Sequence, residues 1–321
     1  MSRTYFPSRV VLCLLVFGSL ASAQSPSLAP GWMAGRVVVQ VSEGGSTPLA
    51  PNPDLFYAII FDPRDDIFSY SSPGSSLRKI TQGVDPALSP DGGMVVFCGF
   101  PPGQIHSQLM IVKSDGGGQK QLTNMEGSPC APAWSPDGKK IAFHAATNRG
   151  QVVMVLDFAA KTITPIAIGS LPRWSPDGKR LLFLRKPEMH DARASIWTAD
   201  SDGKNARFLV DSFSPVPAAD WSGDGQFIIY TNDDHHQSAI FRVNLDGTNP
   251  EKIAGNKNVE MYFPSMSPDG RQLVVVRAYG PAVSLVLIDL STQKERWLAN
   301  GVRGDVSWVK HTDQPSSSRD K

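Results

Sequence analysis

Ser89-Pro90-Asp91-Gly92 is a four-residue sequence that recurs along the chain, and its recurrence decides the fold. The other copies are Ser135-Pro136-Asp137-Gly138, Ser175-Pro176-Asp177-Gly178, Ser222-Gly223-Asp224-Gly225 and Ser267-Pro268-Asp269-Gly270. Successive copies begin 46, 40, 47 and 45 residues apart in a chain of 321 residues. A motif repeated at so regular a period indicates that one supersecondary unit is built five times.

Each copy of the motif predicts a tight turn between two strands. Proline presets φ at the second position of a type I turn, Asp tolerates the third position, and Gly suits the fourth. The apolar strand before each turn ends at Leu88, Trp134, Trp174, Trp221 or Met266. A β-rich run follows each turn, at 94–97, 141–143, 181–183, 227–230 and 273–276. The motif is therefore predicted to be the turn of a β-hairpin.

Two further runs complete each unit. The third runs lie at 109–112, 152–156, 196–199, 240–243 and 283–288, and a turn containing Asp follows each of them. A shorter fourth run comes next, as at 121–123, 207–209 and 296–298. Four antiparallel strands in a repeat of this length describe one blade of a β-propeller. Because a single blade cannot bury both of its apolar faces, neighbouring blades are expected to stack.

The two ends of the repeat array predict a sixth, split blade. Three strand-like runs precede the first motif, at 55–61, 66–70 and 77–81, without a run of the first-strand type. Near the C-terminus, residues 305–309 resemble the strand before a motif, with Trp308 in register with Trp134. We therefore expect an all-β fold, a six-bladed propeller over residues 55–309. Its C-terminal strand would pair with the N-terminal blade and so remove the exposed sheet edge.

The first 23 residues have the composition of a Sec-type signal peptide. Arg3 and Arg9 precede or border an apolar run at 10–20, and Ala21-Ser22-Ala23 has the small-x-small pattern that predicts cleavage after Ala23. This apolar run is shorter than the ~20 residues that span a bilayer. We expect a periplasmic or secreted protein without a membrane span. Residues 24–54 are predicted to be an extension with one strand at 36–41, and residues 310–321 a disordered tail.

The charge of the mature chain argues against two classes of partner. Removal of residues 1–23 takes away two arginines and no acidic residue, so the net charge falls from +1 to −1. A nearly neutral protein has no overall field that attracts nucleic acid or an anionic membrane. The expected partner is a protein or a component of the cell envelope, bound by a monomer.

The repeated Trp-Ser-Pro-Asp-Gly hairpin, with the Asp-Gly turn and the short Leu-Thr-like strand that follow it, resembles the TolB-type (WD40-like) propeller repeat. The resemblance covers five full units and one split unit, and so most of the mature chain. It implies the propeller fold, an extracytoplasmic location and a role as a binding platform. TolB-type proteins carry an α/β domain ahead of the propeller, where this chain has about thirty residues. The Tol–Pal role itself is therefore not inferred from the resemblance.

Charged residues on the predicted innermost strands are candidates for a ligand site. Asp85 and Asp305 occupy matching positions in the repeat, and so do Arg173 and Asp220. Innermost strands line the central channel of a propeller, and convergent polar groups at a channel mouth can bind a cation or a small ligand. The alternative is that these residues pair between blades as structural links.

Two other groups of residues suggest specific chemistry. Asp233-Asp234-His235-His236 contains residue types that bind a divalent metal, although a polar hairpin tip explains the same residues. Cys98 ends the second strand of one blade and Cys130 precedes the first strand of the next. Export makes a disulfide between these blades permissible, and two buried thiols are the alternative.

The expected function is a non-catalytic binding scaffold, and no cofactor is expected. Similar repeats accompany an α/β-hydrolase domain in relatives of prolyl oligopeptidase, but the sequence has no Gly-x-Ser-x-Gly nucleophile motif. The alternative function is a metal-dependent propeller enzyme of the lactonase, hydrolase or lyase type. In that case carboxylates of the channel would hold a divalent cation.

Overall fold

The computed structural model describes residues 58–61, 66–70, 78–186, 194–234, 237–256, 259–279 and 282–300. All of them belong to the compact unit Val38–Lys321. These residues form β-strands joined by turns and loops, and no helix occurs among them. The predicted signal peptide, the segments 24–54 and 310–321, and the strand at 305–309 lie outside the described residues.

Five four-stranded antiparallel sheets, blades one to five, follow one another along the chain. Blade one contains β4 (Val84–Leu88), β5 (Met94–Gly99), β6 (Gln108–Lys113) and β7 (Lys120–Gln121). Blade two contains β8 (Cys130–Trp134), β9 (Lys140–Thr147), β10 (Gly150–Asp157) and β11 (Ile163–Ile168). Blade three contains β12 (Ser170–Trp174), β13 (Arg180–Arg185), β14 (Ala194–Asp200) and β15 (Arg207–Ser212).

The last two blades repeat the same order. Blade four contains β16 (Ala219–Trp221), β17 (Phe227–Asp233), β18 (Ser238–Asn244) and β19 (Glu251–Ala254). Blade five contains β20 (Glu260–Met266), β21 (Gln272–Tyr279), β22 (Ala282–Asp289) and β23 (Glu295–Asn300). The first strands of successive blades, from β4 to β20, contact one another and are therefore the innermost strands.

The prediction of six four-stranded blades is wrong. The strands before blade one, β1 (Ala58–Phe61), β2 (Asp66–Tyr70) and β3 (Arg78–Gln82), form a sheet of three strands. The part of the chain that the structure describes thus has five four-stranded blades, one for each copy of the motif. The physical reason is local: β3 is followed almost at once by β4, and β4 pairs with β5 in blade one, so the chain that follows β3 adds no strand to the N-terminal sheet.

The turn motif has the same hydrogen bonds in every blade. In blade two the Ser135 hydroxyl donates to Asp137 Oδ1 over 2.6 Å, and the Lys139 amide donates to the same oxygen over 3.0 Å. The Lys140 amide donates to Ser135 Oγ over 2.9 Å. These bonds lower the pKa of the Asp137 carboxyl, the one from Ser135 most of all. The motif therefore forms the turn of a hairpin, as the repeat predicts, and its Ser and Asp side chains close that turn.

The core lies between neighbouring sheets, where apolar side chains of adjacent blades form separate clusters. Three tryptophans also join the blades through hydrogen bonds. Trp134 Nε1 donates to Ala87 O over 3.2 Å, and Trp174 Nε1 donates to Ala133 O over 3.1 Å. Trp221 Nε1 donates to Arg173 O over 3.2 Å. Each bond links equivalent positions of the repeat, so equivalent ends of the blades lie together.

The blades consequently present two different faces. The turn face carries the five motif turns and the turns after the third strands, with an Asp in each. The loop face carries the loops between second and third strands, such as 100–107, and the connections between blades, such as 122–129 and 213–218. This division follows from the antiparallel order of four strands in every blade.

Candidate functional site

Large apolar side chains are exposed mainly on the loop face. Ile105 is 83% exposed, Tyr279 63% and Phe213 52%, and they come from blade one, blade five and the connection between blades three and four. Phe100 and Ile168 are exposed on the same face. Phe208 and Trp297 are 49% exposed each and lie on the outermost strands β15 and β23. Phe158 and Ile163, on the turn face, are 37% exposed each. The loop face is thus the more apolar of the two.

The innermost strands share an unusual backbone conformation at the loop face. The residue four positions before the motif serine has a left-handed φ near +50° in four blades, at Asp85, Ala131, Leu171 and Phe263. A proline follows each of these residues, and a bulge in the pairing with the second strand occurs at the same place. Non-glycine residues adopt such φ values rarely, and they do so where the surrounding structure requires it.

Asp85, Cys98 and Cys130 come together at the loop-face end of the interface between blades one and two. One carboxylate oxygen and two sulfur atoms lie within 4.8 Å of one another. Cys98 Sγ lies 3.9 Å from Asp85 Oδ2, which also accepts a hydrogen bond of 3.3 Å from the Ala131 amide. Cys98 is fully buried, whereas Asp85 and Cys130 are half-buried.

The environment of this cluster disfavours an isolated thiolate. Burial raises the pKa of the Cys98 thiol well above its usual range, and the neighbouring Cys130 and Asp85 raise it further. The structure brings the two predicted cysteines together across the blade interface, as free thiols. The disulfide between Cys98 and Cys130 stays a prediction.

Arg173 lies close to the buried His144 of blade two. His144 is 3% exposed, and its Nδ1 accepts a hydrogen bond of 3.3 Å from the Leu171 amide of blade three. Burial lowers the pKa of His144 to about 4, and the positive charge of Arg173 contributes to the shift. Arg173 Nη1 itself donates to the Pro172 carbonyl over 3.1 Å.

Asp220 forms a link between blades four and five. Its Oδ2 accepts a hydrogen bond of 3.3 Å from the Ser265 hydroxyl, and its Oδ1 accepts one of 2.8 Å from the Trp221 amide. The ligand site expected at the charged positions stays a prediction. Asp305, the partner expected for Asp85, lies outside the described residues.

Of the candidate metal ligands Asp233-Asp234-His235-His236, the structure describes the two aspartates. Asp233 ends β17, and Asp234 pairs with the Lys252 ammonium over 2.8 Å at the tip of the hairpin. His235 and His236 lie outside the described residues. Glu260 lies on the same face, where burial raises the pKa of its carboxyl and the charge of Asp233 raises it further.

Sequence reasoning did not identify the apolar side chains of the loop face. The signal was present as large apolar residues in loops or at strand ends, such as Phe213 and Tyr279. Repeat alignment could also have shown that the loop-face positions differ between blades, whereas the turn-face motif does not. Taken together, the sheets, the motif turns and the contacts between blades define a protein of the β-propeller class.

Comparisons with known proteins show which β-propellers this chain is similar to. The family model of the TolB beta propeller domain matches residues 72–188. Dipeptidyl-peptidase 5 of Porphyromonas gingivalis is 46% identical over 61 residues, which are 18% of this chain and 9% of that protein. The Tol-Pal system protein TolB of Francisella tularensis is 25% identical over 98 residues, 30% of this chain and 22% of that protein.

Solved structures show the same fold. TolB from Acinetobacter baumannii superposes with a TM-score of 0.62 at 18% identity, over 78% of this chain and 64% of that one. The chain therefore resembles TolB proteins, through the family model over residues 72–188 and through the propeller fold over most of its length. It spans 9% and 22% of the lengths of the two curated relatives, one of them named as a peptidase and the other as a TolB protein. Among the described residues, no helix is long and apolar enough to cross a membrane.

Proposed function

We propose that the protein is a non-catalytic, extracytoplasmic binding propeller that holds a protein or another component of the cell envelope on its loop face. The observation that carries this proposal is the distribution of exposed apolar side chains. Ile105, Phe213 and Tyr279 are each more than half exposed, and all three lie on the loop face. Exposed apolar residues concentrated on one face of a protein are typical of an interaction surface.

The polar surroundings of these residues support the same assignment. Asp233 and Glu260 provide acidic groups on the loop face, and Lys252 pairs there with Asp234. Protein interfaces combine aromatic anchors with a polar rim. Because the blades hold their loops through buried strands, the binding residues sit on rigid supports, which lowers the entropy lost on binding.

Affinity capture from envelope fractions of the native cells tests the proposal. We expect the double variant Phe213→Ser, Tyr279→Ser to lose at least about tenfold in recovery of the component that the unaltered protein retains, because aromatic anchors contribute about 1–2 kcal/mol or more each. The matched control is Ile163→Ser, which removes an exposed apolar side chain from the turn face and is expected to change nothing. Equal recovery by the double variant, or equal loss in the control, would contradict the proposal. Turnover of a lactone or polysaccharide substrate by the purified protein would favour the enzyme instead.

A further inference from the structure

We propose that Asp85, Cys98 and Cys130 form a binding site for a thiophilic divalent cation of the zinc class, which joins blades one and two at the loop face. Asp85 and Cys98 come from blade one, and Cys130 comes from blade two. The three residues offer one carboxylate oxygen and two sulfurs as ligand atoms. Zinc binds this combination of ligands in proteins, commonly in tetrahedral geometry.

The distances between the ligand atoms fit this geometry after a small adjustment. Zn–S bonds of about 2.3 Å and Zn–O bonds of about 2.0–2.2 Å place tetrahedral ligand atoms about 3.4–3.8 Å apart. The three atoms of the cluster lie within 4.8 Å of one another, and Cys98 Sγ and Asp85 Oδ2 are 3.9 Å apart. Rotamer adjustments of about 1 Å would therefore bring all three to bonding distance. Asp85 and Cys130 are half-buried, so an ion has access from the loop face.

The backbone around the cluster holds the ligands in place. Asp85 lies at the left-handed bulge of β4, and the Ala131 amide donates to its carboxylate from the corresponding bulge of β8. Ser107 holds the backbone next to Cys130. Its hydroxyl donates to the Pro129 carbonyl over 3.2 Å and lies 3.8 Å from Cys130 Sγ. A site whose ligands are positioned in advance loses less entropy when it binds an ion.

The charges of the ligand groups also favour a bound cation. A bound Zn²⁺ would ionise both thiols and release two protons to solvent, so that two thiolates and one carboxylate face two positive charges. The fully buried Cys98 would then have a compensating charge at bonding distance. Three protein ligands leave the fourth position of a tetrahedral ion to water or to a group of a bound partner.

Comparison of the blades shows that this set of ligands is specific to one interface. The position of Asp85 is occupied in the other blades by Ala131, Leu171, Ala218 and Phe263. The position of Cys98 is occupied by His144, Leu184, Thr231 and Val276, and that of Cys130 by Val84, Ser170, Pro217 and Tyr262. The propeller repeat itself therefore requires none of the three residues. A disulfide would use the two cysteines alone, whereas a cation site uses all three ligand atoms of the cluster.

The test uses the mature protein purified under reducing, anaerobic conditions and titrated with Zn²⁺ and Co²⁺. We expect one ion per chain and a sulfur-to-cobalt charge-transfer band in the near ultraviolet. Cys98→Ser and Cys130→Ser should each weaken Zn²⁺ binding at least about a hundredfold, and Asp85→Asn at least about tenfold. Asp220→Asn is the matched control, because it alters an inner-strand aspartate at another blade interface, and it should bind Zn²⁺ as the unaltered protein does.

Two results would overturn the site. One is a reduced, folded protein that shows no charge-transfer band and binds no Zn²⁺ in competition with a chelator. The other is a Cys98–Cys130 disulfide, found by mass spectrometry in protein isolated from its native compartment without reductant. Both measurements are made on the unaltered chain, so they do not depend on whether a variant folds. Near-ultraviolet circular dichroism shows which of the variants retain the fold.

Discussion

At the scale of the residue, the repeated motif does not specify the contacts at the loop-face ends of the innermost strands. The sequence placed Cys98 and Cys130 at one end of neighbouring blades, and the structure brings them together. It did not reveal the left-handed residue before each inner-strand proline, because residues before proline are ordinarily extended. That bulge brings Asp85 to the Ala131 amide and the Leu171 amide to His144. The contacts of the site therefore depend on a backbone feature that local propensity opposes.

His144 carries a prediction about acid stability. The pKa of His144 is about 4 in the folded protein and 6.5 when unperturbed. As the pH falls from 6.5 toward 4, the unfolded chain takes up a proton that the folded protein does not, so the free energy of unfolding decreases. At 1.36 kcal/mol per pKa unit, the His144 imidazole lowers the free energy of unfolding by up to about 3 kcal/mol between pH 6.5 and pH 4.

The variant His144→Asn isolates this effect, because Asn lacks the titrating ring and keeps an acceptor for the Leu171 amide. Urea unfolding at a series of pH values should show a shallower loss of stability in the variant than in the unaltered protein between pH 6.5 and 4. Protonation of the motif aspartates that have lowered pKa values, such as Asp137, also destabilises the fold in acid. This loss is the same in the variant and in the unaltered protein. Parallel stability curves would show that His144 does not titrate as described.

At the scale of the element, the hairpins follow from the motif, and the exceptions have local causes. The predicted runs at 152–156 and 240–243 lie within the third strands β10 and β18. Ser and Asp close the motif turns of blades two and four with the same hydrogen bond. Gly223 replaces the motif proline in blade four. A Cβ atom at this position would come within 2.5 Å of the backbone oxygens of Ser267 and Pro268. Packing against the next blade thus explains the one departure from the motif.

The tryptophan bonds between blades lead to a second stability prediction. Trp174→Phe keeps an aromatic ring in the core but removes the N–H that donates to Ala133 O. We expect the free energy of unfolding to fall by about 1 kcal/mol or more, since a buried carbonyl loses its partner and the smaller ring leaves space. Chemical denaturation followed by fluorescence measures the change.

Trp197→Phe is the matched control for that substitution. The Trp197 Nε1 atom is buried and has no hydrogen-bond partner within the part of the chain that the structure describes. Trp197→Phe should lower the free energy of unfolding by less than Trp174→Phe does, because no hydrogen bond of the indole is lost and a buried polar group disappears. An equal loss of stability in both variants would show that the indole bond between blades contributes nothing.

At the scale of the whole molecule, the repeat predicted the class of fold but not the number of complete blades. Among the described residues, five motifs gave five four-stranded sheets, and the N-terminal strands formed a sheet of three. The repeat also did not indicate a binding surface, since it encodes the turn face. The loop face depends on residues that differ from blade to blade, such as Phe213 and Tyr279. The folded chain shows how far these side chains are exposed on that face.

Site-specific photo-crosslinking in the native cells tests most directly whether the loop face is the binding surface. A photoreactive amino acid replaces Ile105, Phe213 or Tyr279 on the loop face, and Lys139, Ile163 or Lys204 on the turn face, one position at a time. We predict that the loop-face positions yield covalent adducts with one common envelope component, and that the turn-face positions yield none. Adducts formed from the turn face, with none from the loop face, would contradict the account.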